Sequence, residues 1–200
     1  MGMWTLQIAT ALGFAGATAL SAACDDGEAA AGETSGGTAA QEQPAGGEGA
    51  GESPTALTDQ TRRQIREALS GYEQIRAKLA ADDGNVAANA RQVADAAAAA
   101  QQDAPRPLHP HLSGIATEAR QLAEAPASDL ARVRREFGDV SRHVIALLAA
   151  ERSLAEGLHV FECGMADGYA KWVQPSAQIS NPYMGTRMPA CGAPSDLEAS

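Results

Sequence analysis

Apolar side chains recur at helical spacing between residues 55 and 157, and this periodicity constrains the fold more than any other feature. The spacing appears in four segments: Ile65, Leu69, Tyr72 and Leu79; Val86, Ala90, Val93, Ala97 and Ala100; Leu112, Ile115, Ala119 and Leu122; and Leu130, Val133, Phe137, Val140, Val144, Leu147 and Leu154. Residues spaced in this way share one face of a helix. The sequence therefore predicts four amphipathic helices, the second with a small-residue face that permits close packing.

Turn formers and prolines separate these segments. Asp82-Asp-Gly-Asn85 breaks the first pattern, prolines at 105, 107 and 110 end the second, and Pro126 ends the third. Ser128 or Asp129 can cap the fourth helix. Because four helices with short connections favour an antiparallel up-down bundle, we predict an all-α fold. Its bundle covers residues 55–157, an irregular Cys/Met cassette packed on the bundle covers 158–194, and a disordered tail covers 195–200.

An apolar run of small residues extends from Trp4 to Ala23 and ends at Cys24. Its length suits the core of a signal peptide. Its content of Ala, Gly and Thr makes a membrane-spanning helix less convincing. The stretch Leu20-Ser-Ala-Ala-Cys24 resembles a bacterial lipobox, although Ser21 stands where leucine is usual. We predict a lipoprotein signal peptide at 1–23 and lipidation of Cys24, which would anchor the protein to a membrane in the periplasm of the bacterial cell envelope. The alternatives are an ordinary cleaved export signal, a retained anchor and a cytosolic protein.

Residues 24–54 combine Gly, Ala, Glu and other polar residues with almost no large apolar side chain, a composition that predicts a disordered linker. Seven acidic residues lie between Asp25 and Glu52, with no Lys or Arg among them, so the formal net charge of −10 belongs mainly to this segment. Nucleic-acid binding needs a concentrated basic face and is not expected. A flexible segment of about 30 residues spans roughly 30 Å, enough to hold a soluble domain off the membrane.

The cassette concentrates the sulfur-bearing residues: two of the three cysteines and three of the five methionines. Thiolate and thioether sulfur select Cu(I) and related ions such as Ag(I). The candidate metal ligands are Cys163, Met165, Met188, Cys191, His159 and Met184. In an exported protein, however, Cys163 and Cys191 can form a disulfide instead. Spacing leaves both readings open. The two states can also alternate, because an oxidised pair cannot bind Cu(I) until it is reduced.

Other residues of the cassette have structural interpretations. Leu158 to Phe161 can form a short strand or a tight strap, and Met184 can fill a gap in the core. The aromatic side chains predicted to pack the cassette onto the helices, with partners for their polar tips, are Tyr169, Trp172 and Tyr183.

Three histidines lie outside the cassette. His109 and His111 fall in a proline-rich stretch that is predicted to be a loop, without a third donor nearby in sequence. His143 adjoins the apolar stripe at Val144 and is interpreted as a boundary or surface residue. None of the three is a favoured ligand.

The stretch from Asn181 to Gly192 reads Asn-Pro-Tyr-x-Gly-x-x-Met-x-x-Cys-Gly, and Cys163 and Met165 lie upstream with Gly164 between them. These motifs resemble a domain of unknown function that occurs in exported bacterial lipoproteins and at the C-terminus of some periplasmic adaptor subunits of copper/silver efflux systems. The second motif matches completely, whereas Gly164 replaces the proline of the first. The resemblance covers residues 60–193 approximately and implies handling of copper or silver.

Two functions are compatible with these features. The leading hypothesis is a non-enzymatic, membrane-tethered module that binds Cu(I) or Ag(I) for efflux or resistance, with an efflux-system or other envelope protein as partner. The alternative is a disulfide-stapled helical interaction lipoprotein with no metal role. An enzyme is not predicted, because the sequence contains no Ser/His/Asp ordering, no Cys-x-x-Cys and no Gly-rich phosphate loop.

Overall fold

The computed structural model describes residues 56–198. The predicted signal peptide, Cys24, the linker and the last two residues of the predicted tail lie outside the described residues. Within 56–198 the chain forms four α-helices and one small antiparallel sheet of three strands. None of these helices is both long and apolar enough to span a membrane.

The helices are α1 (Asp59–Ala80), α2 (Ala87–Asp103), α3 (His109–Glu124) and α4 (Leu130–Ala150). Thr58 and Asp129 cap α1 and α4, because their side chains accept hydrogen bonds from the amides of Thr61 and Arg132. Short 3₁₀ turns span Arg106–Leu108, Arg152–Leu154 and Gly185–Arg187. The predicted breaks at 82–85 and at Pro126 are confirmed.

The apolar stripes face the core as expected, with the exception of Leu69 and Leu130, which are only partly buried. Helices adjacent in sequence pack against each other. Small residues allow this close approach: a Cβ on Gly71 of α1 would lie 2.8 Å from Cγ2 of Val93 on α2, and the ring of His143 lies against Gly114. His143 is therefore half-buried, and its ring packs between α3 and α4.

The cassette is not irregular throughout, so the all-α prediction is wrong for this part of the chain. Strands β1 (His159–Glu162), β2 (Lys171–Gln174) and β3 (Ala193–Pro194) form an antiparallel sheet in the order β2-β1-β3. The prediction of a short strand at 158–161 is confirmed. β3 has only two residues, and all four residues of β2 are buried, so neither strand shows an alternating pattern. Their pairing with β1 is not local in sequence.

The ordered chain continues past the predicted boundary at residue 194. The amide of Ser195 donates to the Val160 carbonyl at 2.9 Å, and Lys171 Nζ donates to the Glu198 carbonyl at 2.9 Å. Lys171 is buried, so its ammonium needs the Glu198 carbonyl and the Asp196 carboxylate, which lies 3.9 Å away. Residues 195–198 thus belong to the edge of the sheet rather than to a tail.

Candidate functional site

Cys163 and Cys191 form a disulfide whose Cα atoms are 5.9 Å apart. The sheet brings them together: Glu162 of β1 pairs with Ala193 of β3, so the residues that follow β1 and precede β3 must meet. Cys163 is fully buried, whereas Cys191 is only partly buried. The bond joins positions 28 residues apart and closes the cassette around its aromatic side chains.

Each cysteine shares a hydrogen-bonded turn with a methionine. The Ala166 amide donates to the Cys163 carbonyl at 3.0 Å, which encloses Met165. The Cys191 amide donates to the Met188 carbonyl at 3.1 Å, which closes the second turn. Met188 is partly buried against the core, whereas Met165 is 63% exposed. Two of the predicted thioether ligands therefore accompany the cysteine pair.

Neither His159 nor Met184 lies within one of these two turns. His159 begins β1 and Cys163 follows its end, which separates their Cα atoms by about 13 Å along an extended strand. His159 is exposed at the far end of this strand, whereas Cys163 is buried, so His159 stays only a predicted ligand. Met184 is buried in the core, where it fills space beside Tyr183.

Asn181 is the centre of the second motif and is fully buried. Its Oδ1 accepts the amides of Tyr183 at 2.7 Å and Met184 at 2.9 Å, and its Nδ2 donates to the Cys191 carbonyl at 2.7 Å. One side chain thus forms the turn after residue 181 and ties it to the disulfide. This explains why asparagine, with both a donor and an acceptor, stands at this position.

The aromatic residues connect the cassette to the helices, as predicted. The Tyr183 ring packs 5.8 Å from that of Phe137 on α4, and its hydroxyl donates to the Lys171 carbonyl at 2.8 Å. Burial raises the pKa of Tyr183 well above its usual value, which keeps the hydroxyl a donor. Trp172 Nε1 donates to Gln174 Oε1 at 2.9 Å. Tyr169 differs, since Arg142 lies over its ring and its hydroxyl has no partner within residues 56–198.

Three charged residues fix the cassette and were not identified from the sequence. Arg134 on α4 donates to the carbonyls of Pro182 at 2.9 Å and Leu79 at 3.1 Å, and it pairs with Asp82. The Thr186 hydroxyl and the Arg134 guanidinium donate hydrogen bonds to the Asp82 carboxylate, and together they lower its pKa. On α1, Arg76 donates to the Ser180 carbonyl at 2.7 Å. Arg76 is buried and Arg134 is half-buried, so neither side chain is fully exposed to solvent.

Gly185 lies directly against the pair formed by Arg134 and Asp82, and its φ is +56°. A side chain would contact both charged groups, and a left-handed backbone costs an L-residue about 1–2 kcal/mol. We expect Gly185→Ala to lower the free energy of unfolding by about 3 kcal/mol, more than the backbone cost alone. Gly157 also has a positive φ, but open space surrounds it, so Gly157→Ala measures the backbone cost alone. Denaturant unfolding of both variants therefore gives the additional cost of the contact at Gly185. Equal losses in both variants would contradict the role of the Asp82 contact.

The remaining sequence candidates lie elsewhere. His109 and His111 belong to the start of α3 rather than to a loop, and His109 Nε2 bonds the Ala104 carbonyl at 2.8 Å. Burial lowers the pKa of His111. Among the described residues, one group of three His, Cys, Asp or Glu side chains is close enough together to hold a metal ion. It consists of Glu118, Glu136 and Asp139, and none of these is a predicted ligand.

Comparison of the chain with protein-family models, curated proteins and solved structures gave no match. The chemistry of the site must therefore be argued from its own geometry. An oxidised pair of cysteines offers no thiolate, so this state supplies a covalent crosslink. The reduced pair would supply two soft donors that the sheet holds side by side.

Proposed function

We propose that this chain is a non-enzymatic envelope module whose cysteine pair alternates between a locking disulfide and a reduced state that binds Cu(I) or Ag(I). The observation that carries the proposal is the approach of Cys163 and Cys191 to a Cα separation of 5.9 Å, across 28 residues of sequence. The resemblance of the two motifs to a domain linked with copper and silver efflux points in the same direction.

The two states differ in charge and in donor set. Reduction of the disulfide by a thiol reductant takes two electrons and two protons and gives two thiols. Binding of Cu(I) then releases both protons, and the thiolates become ligands. Met188 is the first candidate for a thioether ligand, since its turn closes on Cys191, and Met165 is the second. Metal affinity should therefore appear only after reduction and weaken as the pH falls.

The rest of the proposal follows from the sequence. The export signal, the lipid on Cys24 and the linker would hold the module off a membrane in the periplasm, where an efflux-system protein or another envelope protein would be its partner. The antiparallel up-down bundle is the arrangement that we propose for the four helices.

A second candidate function is a permanent disulfide staple in a protein that binds an envelope partner without metal. The full burial of Cys163 favours it, because a buried sulfur is protected from thiol reductants. In this case the pair would never be reduced in the cell, and the methionines would only pack.

Anaerobic titration of the reduced, full-length protein with Cu(I) against a competing chelator tests the leading proposal. We expect the Cys163→Ala/Cys191→Ala variant to lose the high-affinity site and Met188→Leu to bind roughly tenfold more weakly, a difference of about 1.4 kcal/mol. Met184→Leu is the matched control, because Met184 is buried in packing, and its affinity should equal that of the wild type. A double variant that binds Cu(I) as tightly as the wild type would refute the metal site.

A further inference from the structure

A small cavity lies between α4 and the cassette, and arginine side chains dominate its charge. Its volume is about 190 Å³. Lining residues include Arg134, Arg135, Met165, Asp167, Tyr183 and Arg187. The cavity is smaller than the roughly 300–1,000 Å³ typical of pockets for drug-sized ligands, so its size suits a small ion or a single head group.

The cavity keeps an excess of positive charge, because three arginines line it against Asp167 on the lining and Asp82 beside Arg134. Arg134 is held by Asp82 and by two carbonyls, which fixes its guanidinium in the wall. Arg135 and Arg187 are exposed, and within residues 56–198 neither forms an ion pair. Asp167, also on the lining, forms none in the same range. Two guanidinium groups are therefore available to an anion, against one carboxylate.

The same cavity is unsuited to the metal discussed above. Met165 and Met184 both line it, but so do three arginines, whose charge repels a cation. Guanidinium groups present planar donor forks that match carboxylate or phosphate oxygens. Met165 adds an exposed apolar surface at the rim, and it is the one large apolar residue between 56 and 198 that is exposed.

We propose that this cavity binds a phosphate group, with Arg135 and Arg187 as the recognising residues and Arg134 as a fixed positive wall. The group belongs either to free phosphate or to the head group of an anionic phospholipid, whose glycerol and acyl carbons would contact Met165. Asp167 opposes the anion and limits its affinity. Neither cysteine lines this cavity, although Met165 is shared with the candidate metal ligands.

Titration of the full-length protein at low salt, in a non-ionic detergent, with inorganic phosphate and with short-chain phosphatidylglycerol below its micelle concentration tests the proposal. We expect Arg135→Gln/Arg187→Gln to weaken binding at least about tenfold. The control Arg63→Gln/Arg120→Gln removes the same charge from exposed positions outside the cavity and should bind within about twofold of the wild type. Asp167→Asn should bind more tightly.

The two probes identify the source of the phosphate. If the ligand is a head group, phosphatidylglycerol binds more tightly than inorganic phosphate, and Met165→Ser removes that preference. If it is free phosphate, inorganic phosphate binds at least as tightly and Met165→Ser changes nothing. Thermal unfolding of each variant verifies that it is folded. Failure of the wild type to bind either probe, or equal weakening in the two double-arginine variants, would overturn the proposal.

Discussion

Replacing both Cys163 and Cys191 with alanine is expected to lower the free energy of unfolding by about 3–4 kcal/mol. The value follows from the loop that the disulfide closes in the unfolded chain, which spans a sequence separation of 28 residues. Loss of the buried Cys163 sulfur adds a small packing cost. Urea unfolding monitored by tryptophan fluorescence measures the difference, since Trp172 lies inside the cassette.

The matched control for this prediction is the wild type in the presence of a reductant. Reduction should destabilise the wild type by a similar amount and leave the double-alanine variant unchanged. Cys24 is present in both proteins and does not affect the comparison. A double variant within about 1 kcal/mol of the oxidised wild type would contradict a stapling role for the disulfide.

Asn181→Ala is expected to be at least as damaging, with a loss of about 3–5 kcal/mol. The substitution removes three hydrogen bonds from a fully buried side chain and leaves the amides of Tyr183 and Met184 without their acceptor. Each buried polar group left unpaired costs about 1–3 kcal/mol. The disulfide would still form, so equilibrium unfolding under oxidising conditions isolates the effect of the turn.

Two control variants test this explanation. Asn181→Asp keeps the acceptor for both amides but places an oxygen against the Cys191 carbonyl, so it should be less destabilising at a pH that protonates the carboxyl group than at neutral pH. Asn89→Ala removes a single exposed hydrogen bond to Gln74, and its effect should stay within about 0.5 kcal/mol. If Asn181→Ala lowered the free energy of unfolding no more than Asn89→Ala, the hydrogen bonds of the buried Asn181 side chain would not be what stabilises the turn.

The helices could be predicted because apolar residues recur along them at helical spacing. Val93 and Phe137, for example, stand at positions that only a core-facing stripe explains, and both are fully buried. The break at 82–85 was equally clear, since its residues favour turns. The sheet could not be predicted in the same way: β3 contains only Ala193 and Pro194, and it pairs with a strand more than 30 residues earlier.

The residues that hold the cassette were missed for a related reason. Arg134 and Arg76 lie on helices, where charged side chains are usually solvated, and their partners are backbone carbonyls 48 and 104 residues away. No local pattern reports such a contact. The sequence identifies Asn181 only as the start of a motif, because its hydrogen bond to the Cys191 carbonyl depends on the tertiary fold. The cysteine pair was ambiguous since the same spacing serves a disulfide and a metal site.

The oxidation state of the cysteine pair in the native envelope is the most direct test of the proposed alternation. Cells are quenched with acid, free thiols are alkylated, and the peptides that carry Cys163 and Cys191 are quantified by mass spectrometry, separately from Cys24. We expect an oxidised pair in cells grown in air without added copper, and a reduced, metal-protected pair in cells grown anaerobically with copper. A pair that stays fully oxidised under both conditions would contradict the alternation and leave the disulfide as a permanent staple.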